Sequence, residues 1–115
     1  MTNDEFGSVM RELWETIESR RAEGNSSTSY TAELLAGSPD TLLKKIAEET
    51  AEVVMAAKDS EAARLEGVEG VTEHGTAHDH LVYETCDLIY HIFVLCARWD
   101  ITPDDLAKEL KRRFA

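Results

Sequence analysis

Two pairs of acidic residues have the spacing that a divalent-cation site needs. Glu49 and Glu52 form one pair, and Glu84 and Asp87 form the other. On a helix, residues three apart are neighbours on one face, so each pair can aim its carboxylates at a single point. Hard oxygen ligands without a cysteine thiolate favour Mg²⁺ or Mn²⁺ over Zn²⁺. The spacing therefore predicts a metal site built from two helices.

The second pair is the stronger indication, because of the helix that carries it. The segment from Leu81 to Trp99 is apolar almost all round, which is typical of a helix buried on most sides. Four ionisable residues nevertheless share one stripe of that helix, roughly 60° wide: Glu84, Asp87, His91 and Arg98. A buried carboxylate is costly unless it takes up a proton or a cation compensates its charge. Burial and charge together therefore predict a bound cation.

Glu49 and Glu52 alone are open to a second interpretation. Both lie near the edge of the apolar face of their own helix, where they could be solvated and paired with Lys45. For that helix alone, this is the better interpretation, since glutamate-rich helices are common. Two acidic pairs facing each other near a core would repel strongly, however, so for the four residues together we predict metal binding.

Caps and glycines mark the helices that must carry these residues. Asn3, Ser38 and Thr102 are good N-cap residues, and a proline follows the last two at the first helical position. The predicted helices run from after Asn3 to Gly24, from about Tyr30 to Ala36, from Pro39 to about Asp59 or beyond, from about Asp79 to Trp99, and from Pro103 onwards. No segment alternates with period two, so we predict an all-α helical bundle in a single domain of residues 1–115.

Two segments between the helices are predicted to be loops. Residues 25–29 are short and polar. Residues 65–80 are rich in glycine, glutamate and histidine, and Gly67, Gly70 and Gly75 indicate little intrinsic order. His74, His78 and His80 could suggest a soft-metal site in this segment, but their irregular spacing disfavours it.

The charge balance excludes one class of partner. The net charge is −11, whereas a general nucleic-acid binder usually carries a basic patch, so we predict no nucleic-acid partner. An acidic chain can still bind an anionic substrate, because a bound divalent cation would dominate the field at the site.

The cysteines and the apolar segment bear on the compartment. Cys86 and Cys96 are about 15 Å apart along a helix, too far for a disulfide, so we predict buried free thiols in a reducing compartment. Ionisable residues interrupt the segment from Leu81 to Trp99, which disfavours a membrane span. The first residues lack the basic and apolar regions of a signal peptide. We therefore predict a soluble, cytoplasmic protein with no membrane partner.

The acidic motifs resemble a known signature. Glu48-Glu49-x-x-Glu52 and Glu84-x-x-Asp87 resemble the EExxE…ExxD pattern of the all-α nucleoside triphosphate pyrophosphohydrolases, the MazG-like group. One branch, the phosphoribosyl-ATP pyrophosphatases of histidine biosynthesis, is also similar at other segments. These are Ser29 to Ala32, Leu34 to Gly37, Leu43 to Lys45, Glu52 to Lys58, Val82 to His91, and the pattern of the C-terminal helix. The resemblance covers about Phe6 to Phe114.

This resemblance implies an activity and an assembly. The implied reaction is hydrolysis of phosphoribosyl-ATP to phosphoribosyl-AMP and pyrophosphate, with Mg²⁺ or Mn²⁺ as cofactor. The implied fold is a MazG-like helical bundle completed by homodimerisation, which would explain a helix that is apolar all round. Two alternatives are a pyrophosphohydrolase acting on free or damaged nucleoside triphosphates and a non-catalytic helical dimerisation module.

The resemblance also implies roles for individual residues. The family's metal ligands match Glu49, Glu52, Glu84 and Asp87. Glu48 matches a position that orients or deprotonates water, and Lys44 and Lys45 match basic positions suited to the phosphate chain. Two departures are a longer gap between the two acidic motifs and Glu33, which stands where relatives often carry a basic residue.

Three further residues are candidate substrate contacts with alternatives left open. Tyr30 and Thr31 begin the short helix, where they could contact substrate or serve only in capping and packing. His91 could contact substrate or orient a ligand carboxylate, and a satisfied interior histidine is an equal alternative given its apolar neighbours.

Overall fold

Five helices and one small hairpin make up the described part of the chain. The computed structural model describes residues 3–24, 29–68 and 70–115. In chain order the elements are α1 (Asn3–Glu23), α2 (Tyr30–Ala36), α3 (Pro39–Glu66), β1 (Val71–Thr72), β2 (Gly75–Thr76), α4 (Ala77–Arg98) and α5 (Pro103–Phe114). The predicted all-α class is confirmed.

The predicted helix ends agree closely with the structure where local caps determine them. The Ser29 hydroxyl accepts a hydrogen bond from the Ala32 amide at 3.2 Å, which starts α2 at Tyr30. Thr102 and Asp105 bond reciprocally to each other's backbone amides, the capping box that starts α5. These hydrogen bonds from Thr102 also lower the pKa of the Asp105 carboxyl. The predicted loop at 25–29 lies outside the described residues except for Ser29.

The chain divides into two compact units. The first comprises the described parts of residues 1–39 together with 93–115, and the second comprises residues 40–92. The prediction of a single domain over residues 1–115 stays a prediction.

The first unit is held together by buried apolar side chains and by arginines that bond to carbonyls. Its buried core residues are Ile17, Ala32, Leu34, Val94, Cys96 and Ala97. The Arg21 guanidinium donates to the Ala97 carbonyl and pairs with Asp100 at 3.1 Å. Arg98 donates to the Leu34 carbonyl at 2.8 Å. These bonds satisfy carbonyls at the C-terminal ends of α4 and α2, which have no partner within their own helices.

The second unit buries charge as well as apolar surface. Leu42, Ala56 and Ala77 are its buried apolar residues, and Glu49, Glu84 and His91 are buried beside them. Glu49 and Glu52 come from α3, whereas Glu84 and Asp87 come from α4. This unit therefore brings both predicted acidic pairs into one body.

The segment 65–80 is more ordered than predicted. β1 and β2 pair antiparallel, with Val71 opposite Thr76 and Thr72 opposite Gly75. Gly75 has φ of 105°, and a Cβ there would lie 2.6 Å from the Asp79 carboxylate, so the turn requires glycine. The prediction of an unstructured loop was wrong here, because strands of two residues are too short to show an alternating pattern.

Helix α4 begins two residues before its predicted start. The Thr76 hydroxyl accepts from the Asp79 amide at 3.1 Å, and the Asp79 carboxylate accepts from the Thr76 amide at 3.0 Å. These hydrogen bonds from Thr76 lower the pKa of Asp79. The arrangement is a capping box with aspartate in place of the usual glutamate or glutamine.

Helix α4 is less buried in the single chain than its composition predicts. Val82, Tyr83 and Ile92 are exposed, and so is Cys86, so the prediction of a buried Cys86 was wrong. Both cysteines are free, as predicted. Among the described residues, α4 is the one helix long and apolar enough to cross a membrane by length and composition. A core helix of a soluble protein has the same property, so this observation is weak.

Candidate metal centre

Three carboxylates from two helices converge in the second unit. Glu49 and Glu52 of α3 and Glu84 of α4 place one oxygen each within 4.8 Å of one another. Glu49 and Glu84 are only 5% and 7% exposed, whereas Glu52 is exposed. Their spacing of three residues along α3 turns both glutamates toward the same side, as the sequence predicts.

Two oxygens of this carboxylate cluster (Glu49, Glu52 and Glu84) are buried without compensation. Glu49 Oε2 and Glu84 Oε2 have no hydrogen-bond partner among the described residues. Burial, followed by the contact with Glu52, raises the pKa of Glu84 to about 7. Burial, followed by the negative charges of Glu52 and Asp87, also raises the pKa of Glu49. The cluster is therefore short of positive charge.

The nearest basic side chains compensate the cluster only in part. Lys45 Nζ lies 3.7 Å from Glu49 Oε1 and 3.9 Å from Glu48 Oε2, so one ammonium is shared between two carboxylates. His80 Nε2 lies 3.5 Å from Glu84 Oε1. Within the cluster, these contacts reach Glu49 Oε1 and Glu84 Oε1 and leave the buried Oε2 atoms of the same two residues unpaired.

A cavity of about 460 Å³ opens onto the cluster. Its walls are residues from α3, the hairpin turn and the first half of α4: Lys45, Glu49, Glu52, Met55, Ala56, Asp59, Glu73, His74, His80, Tyr83, Glu84 and Asp87. Asp87 thus faces the same space as the cluster, although its oxygens lie outside the group of three.

The residues of this cavity fit a hard divalent cation. Carboxylate oxygens are the ligands that Mg²⁺ and Mn²⁺ prefer, and both buried orphan oxygens belong to the converging glutamates. A dication bound here would offset at least two of the negative charges that raise the pKa values of Glu49 and Glu84. The geometry therefore favours the cation site over a solvated acidic stripe.

Comparison with known proteins identifies the family. A sequence model of the family described as phosphoribosyl-ATP pyrophosphohydrolase matches residues 10–114. The chain belongs to this family. The match includes α2, α3, the hairpin and α4, so it covers every element that lines the carboxylate cavity.

Individual relatives agree with the family match. A protein of Ralstonia nicotianae named phosphoribosyl-ATP pyrophosphatase is 44% identical over 107 residues, which is 91% of this chain and 80% of the relative. Proteins of the same name from Bordetella avium and Nitrosomonas eutropha are 40% and 37% identical, covering 94% and 91% of this chain and 82% and 75% of their own lengths. The resemblance inferred from the acidic motifs is therefore confirmed at the level of the family.

The other residues that the resemblance singled out lie in different surroundings. Lys45 lines the cavity, whereas Lys44 and Glu48 are exposed residues of α3 outside its lining. His91 is 4% exposed and its Nδ1 lies 2.8 Å from the Asp87 carbonyl, so it supports the backbone of an acidic residue from the interior. The predicted substrate contacts of Lys44 and His91 and the catalytic role of Glu48 stay predictions.

Tyr30 and Thr31 belong to the first unit. With Arg20, Glu23 and Ser29 they line a separate polar cavity of about 360 Å³. Both residues form the start of α2, directly after its cap residue Ser29. Their predicted contact with substrate also stays a prediction.

Three aromatic side chains of the carboxylate cavity were not predicted to lie there. His74, His80 and Tyr83 all line it. The signal for His80 was its position four residues before Glu84, the spacing at which helical side chains meet. The signal for His74 was absent, because nothing in a glycine-rich segment predicts the hairpin that turns its ring toward α4.

Proposed function

We propose that this chain hydrolyses phosphoribosyl-ATP to phosphoribosyl-AMP and pyrophosphate, a reaction of histidine biosynthesis. The observation that carries the proposal is the cluster of Glu49, Glu52 and Glu84 with its two buried orphan oxygens, in a chain of the phosphoribosyl-ATP pyrophosphohydrolase family. Membership of the family supports the choice of substrate, and the carboxylate cluster supports metal-dependent hydrolysis. The free thiols and this biosynthetic substrate support a cytoplasmic site of action.

In this proposal Glu49, Glu52 and Glu84, with Asp87 beside them, hold Mg²⁺ or Mn²⁺. Such an ion would supply charge neutralisation for the phosphates and so would favour attack by water on the phosphoric anhydride. The net charge of −11 makes such local neutralisation necessary for an anionic substrate, and it argues against a nucleic-acid partner.

The lysines and Glu48 complete the proposed machinery. Lys45 is held 3.7 Å from Glu49 and lines the cavity, where its ammonium can turn to a phosphate oxygen as a point charge. Lys44 lies next to it on α3 and extends the positive charge along the phosphate chain. To Glu48 we assign the role of accepting the proton of the attacking water, which the family resemblance supports; its carboxylate lies 3.9 Å from Lys45 Nζ.

The substrate proposal has a direct test. Turnover of phosphoribosyl-ATP with Mg²⁺, followed as pyrophosphate release, is expected to exceed turnover of ATP, GTP and 8-oxo-dGTP by at least about 100-fold in kcat/KM, which needs about 3 kcal/mol of differential transition-state binding. The measurement is parallel steady-state kinetics on the same enzyme preparation.

The outcomes of this assay distinguish enzymes that share pyrophosphohydrolase chemistry but act on different substrates. A preference for free or oxidised triphosphates would contradict the substrate but keep the pyrophosphohydrolase chemistry. No hydrolysis of any nucleotide, together with no binding of Mg²⁺ in calorimetry, would contradict the proposed enzyme and support the alternative of a non-catalytic helical module.

We also propose that the chain acts as a homodimer. In the second unit, Leu43, Val54 and Met55 of α3 and Val82 and Ile92 of α4 are apolar but between 36% and 61% exposed. So many large apolar side chains in one unit of a small protein are typical of an association surface. A second copy of the chain would cover these exposed apolar residues of α3 and α4.

Sedimentation equilibrium tests the dimer. The unaltered chain is expected to sediment with twice its mass of 12.9 kDa, and Val54→Glu to sediment as a single chain, because a charge would be buried in the interface. Val71→Glu is the control, since Val71 is 94% exposed on the hairpin and should leave the dimer intact. A monomeric unaltered chain at micromolar concentration would contradict the proposal.

A further inference from the structure

The hairpin reaches the carboxylate cavity through a stack of aromatic rings. The His74 ring lies 3.7 Å from the Tyr83 ring, centroid to centroid, with 12° between their planes. It lies 5.1 Å from the His80 ring, with 10° between those planes. All three rings line the cavity, so one residue of the turn is packed on two residues of the first turns of α4.

The position of His74 is fixed by the turn that carries it. Its backbone amide donates to Thr72 Oγ1 at 3.1 Å, and the Thr72 hydroxyl donates to the Gly75 carbonyl at 2.9 Å. The Asp79 carboxylate accepts from the Thr76 amide and ties the end of the hairpin to the start of α4. The hairpin that carries His74 is therefore joined to α4 twice. One connection is the hydrogen bond between Thr76 and Asp79, and the other is the packing of the His74 ring on His80 and Tyr83.

The stack ends on a residue that touches the carboxylate cluster. His80 lies one helical turn before Glu84, and its Nε2 is 3.5 Å from Glu84 Oε1. The other ring nitrogen, Nδ1, is buried with no hydrogen-bond partner among the described residues. The ring therefore keeps this place through its stacking on His74 and its contact with Glu84.

We propose that the hairpin is a positioning device, in which the rings of Tyr83 and His74 hold His80 against Glu84 so that this carboxylate points into the cavity for a divalent cation. The inference rests on the metal site of the proposed function. His80 is a positioning residue here, since it acts through Glu84. Carboxylates that bind metals are commonly oriented by such a neighbour, and its loss typically costs 10–100-fold in metal affinity.

A joint histidine metal site does not explain the stack. The planes of His74 and His80 are nearly parallel, so their nitrogen lone pairs lie in separate planes and do not converge on one ion. The described residues that do converge are three glutamates. The imidazoles therefore serve the carboxylate cluster.

Binding of Mn²⁺ to the full chain tests the proposal without any substrate. The free-ion signal in electron paramagnetic resonance gives the dissociation constant directly. We expect His80→Ala to weaken Mn²⁺ binding by about 10-fold or more. His80→Gln is expected to restore the affinity to within about threefold, because the glutamine amide can place an N–H near the position of imidazole Nε2. His78→Ala is the matched control, since His78 is exposed and outside the cavity lining.

A second pair of variants tests the ring stack itself. His74→Ala is expected to weaken Mn²⁺ binding by about threefold to 10-fold, within the range for residues that orient ligands indirectly. His74→Phe keeps a flat ring against Tyr83 and should bind Mn²⁺ as the unaltered chain does. Thermal unfolding of each variant without metal shows whether it is folded, and the His74→Phe comparison still decides if His80→Ala fails to fold.

The outcomes are distinct for this inference and for the proposed function. Equal or tighter Mn²⁺ binding by folded His80→Ala overturns the inference, and so does His74→Phe that binds as weakly as His74→Ala. No Mn²⁺ binding by the unaltered chain overturns both the inference and the metal site. Normal Mn²⁺ binding with the expected order of variants, but no turnover of phosphoribosyl-ATP, overturns the substrate and supports the inference.

Discussion

Replacing Glu84 with glutamine is expected to lower the turnover of phosphoribosyl-ATP by more than about 100-fold. Mutation of a residue that only orients a metal ligand already lowers metal affinity or activity by about 10–100-fold, and Glu84 is a proposed ligand itself. Glu84 supplies one of the three converging oxygens, and its Oε2 is buried without a partner. The amide keeps the size of the side chain but removes the negative charge that, in our proposal, binds the cation. The measurements are kcat/KM at saturating Mg²⁺ and the Mg²⁺ affinity from calorimetry.

The same substitution should make the metal-free protein more stable near neutral pH. A glutamine in place of a buried, unpaired carboxylate removes a charge that burial penalises. Loss of activity with unchanged or higher thermal stability would therefore separate a functional defect from misfolding. Stabilisation by added Mg²⁺, which follows from binding to the folded state alone, should disappear in Glu84→Gln.

Glu61→Gln is the matched control for this experiment. Glu61 lies on α3, is exposed, pairs only loosely with Arg64 at 3.8 Å and is absent from the cavity lining. It should keep full activity and full stabilisation by Mg²⁺. Turnover by Glu84→Gln within threefold of the unaltered chain would contradict the assignment of Glu84 as a ligand.

The helices and the acidic site were predictable because their signals are local. Ser29 and Thr102 cap α2 and α5 with their own hydroxyls, so the helix starts could be read from a few residues. Glu49 and Glu52 share a side of α3 because of the helical repeat alone. The approach of Glu84 to them followed from charge and burial, since an apolar helix with an acidic stripe needs a compensating partner.

The features that escaped prediction depend on contacts between segments. The hairpin has strands of two residues, and its turn depends on Gly75 facing Asp79. The stack of His74 on Tyr83 exists only once that turn has formed. Cys86 was predicted to be buried from the composition of α4, but burial on every side of that helix needs surfaces that the single chain does not supply.

The stability of the metal-free protein is expected to fall as the pH rises from about 4.5 to above 7. Burial, followed by the contact with Glu52, raises the pKa of Glu84 from 4.5 to about 7 in the folded chain. Below pH 4.5 both folded and unfolded chains carry the proton, so ionisation costs nothing. Between the two values the unfolded chain ionises while the folded chain keeps its proton, so unfolding becomes easier with rising pH.

The expected loss for Glu84 is on the order of 3 kcal/mol, since one unit of pKa corresponds to about 1.4 kcal/mol. The raised pKa of Glu49 acts in the same direction. Chemical denaturation at pH 5, 6, 7 and 8 measures this loss, and Glu84→Gln should lack most of the slope.

Above pH 7, added Mg²⁺ should recover the loss in the unaltered chain, because the ion binds the ionised carboxylates and takes the place of the proton. Equal pH slopes for the unaltered chain and Glu84→Gln without metal would contradict a charged, uncompensated Glu84. A recovery by Mg²⁺ that is as large at pH 5 as at pH 8 would show that the ion binds elsewhere, since protons and cations compete only where they share the same oxygens.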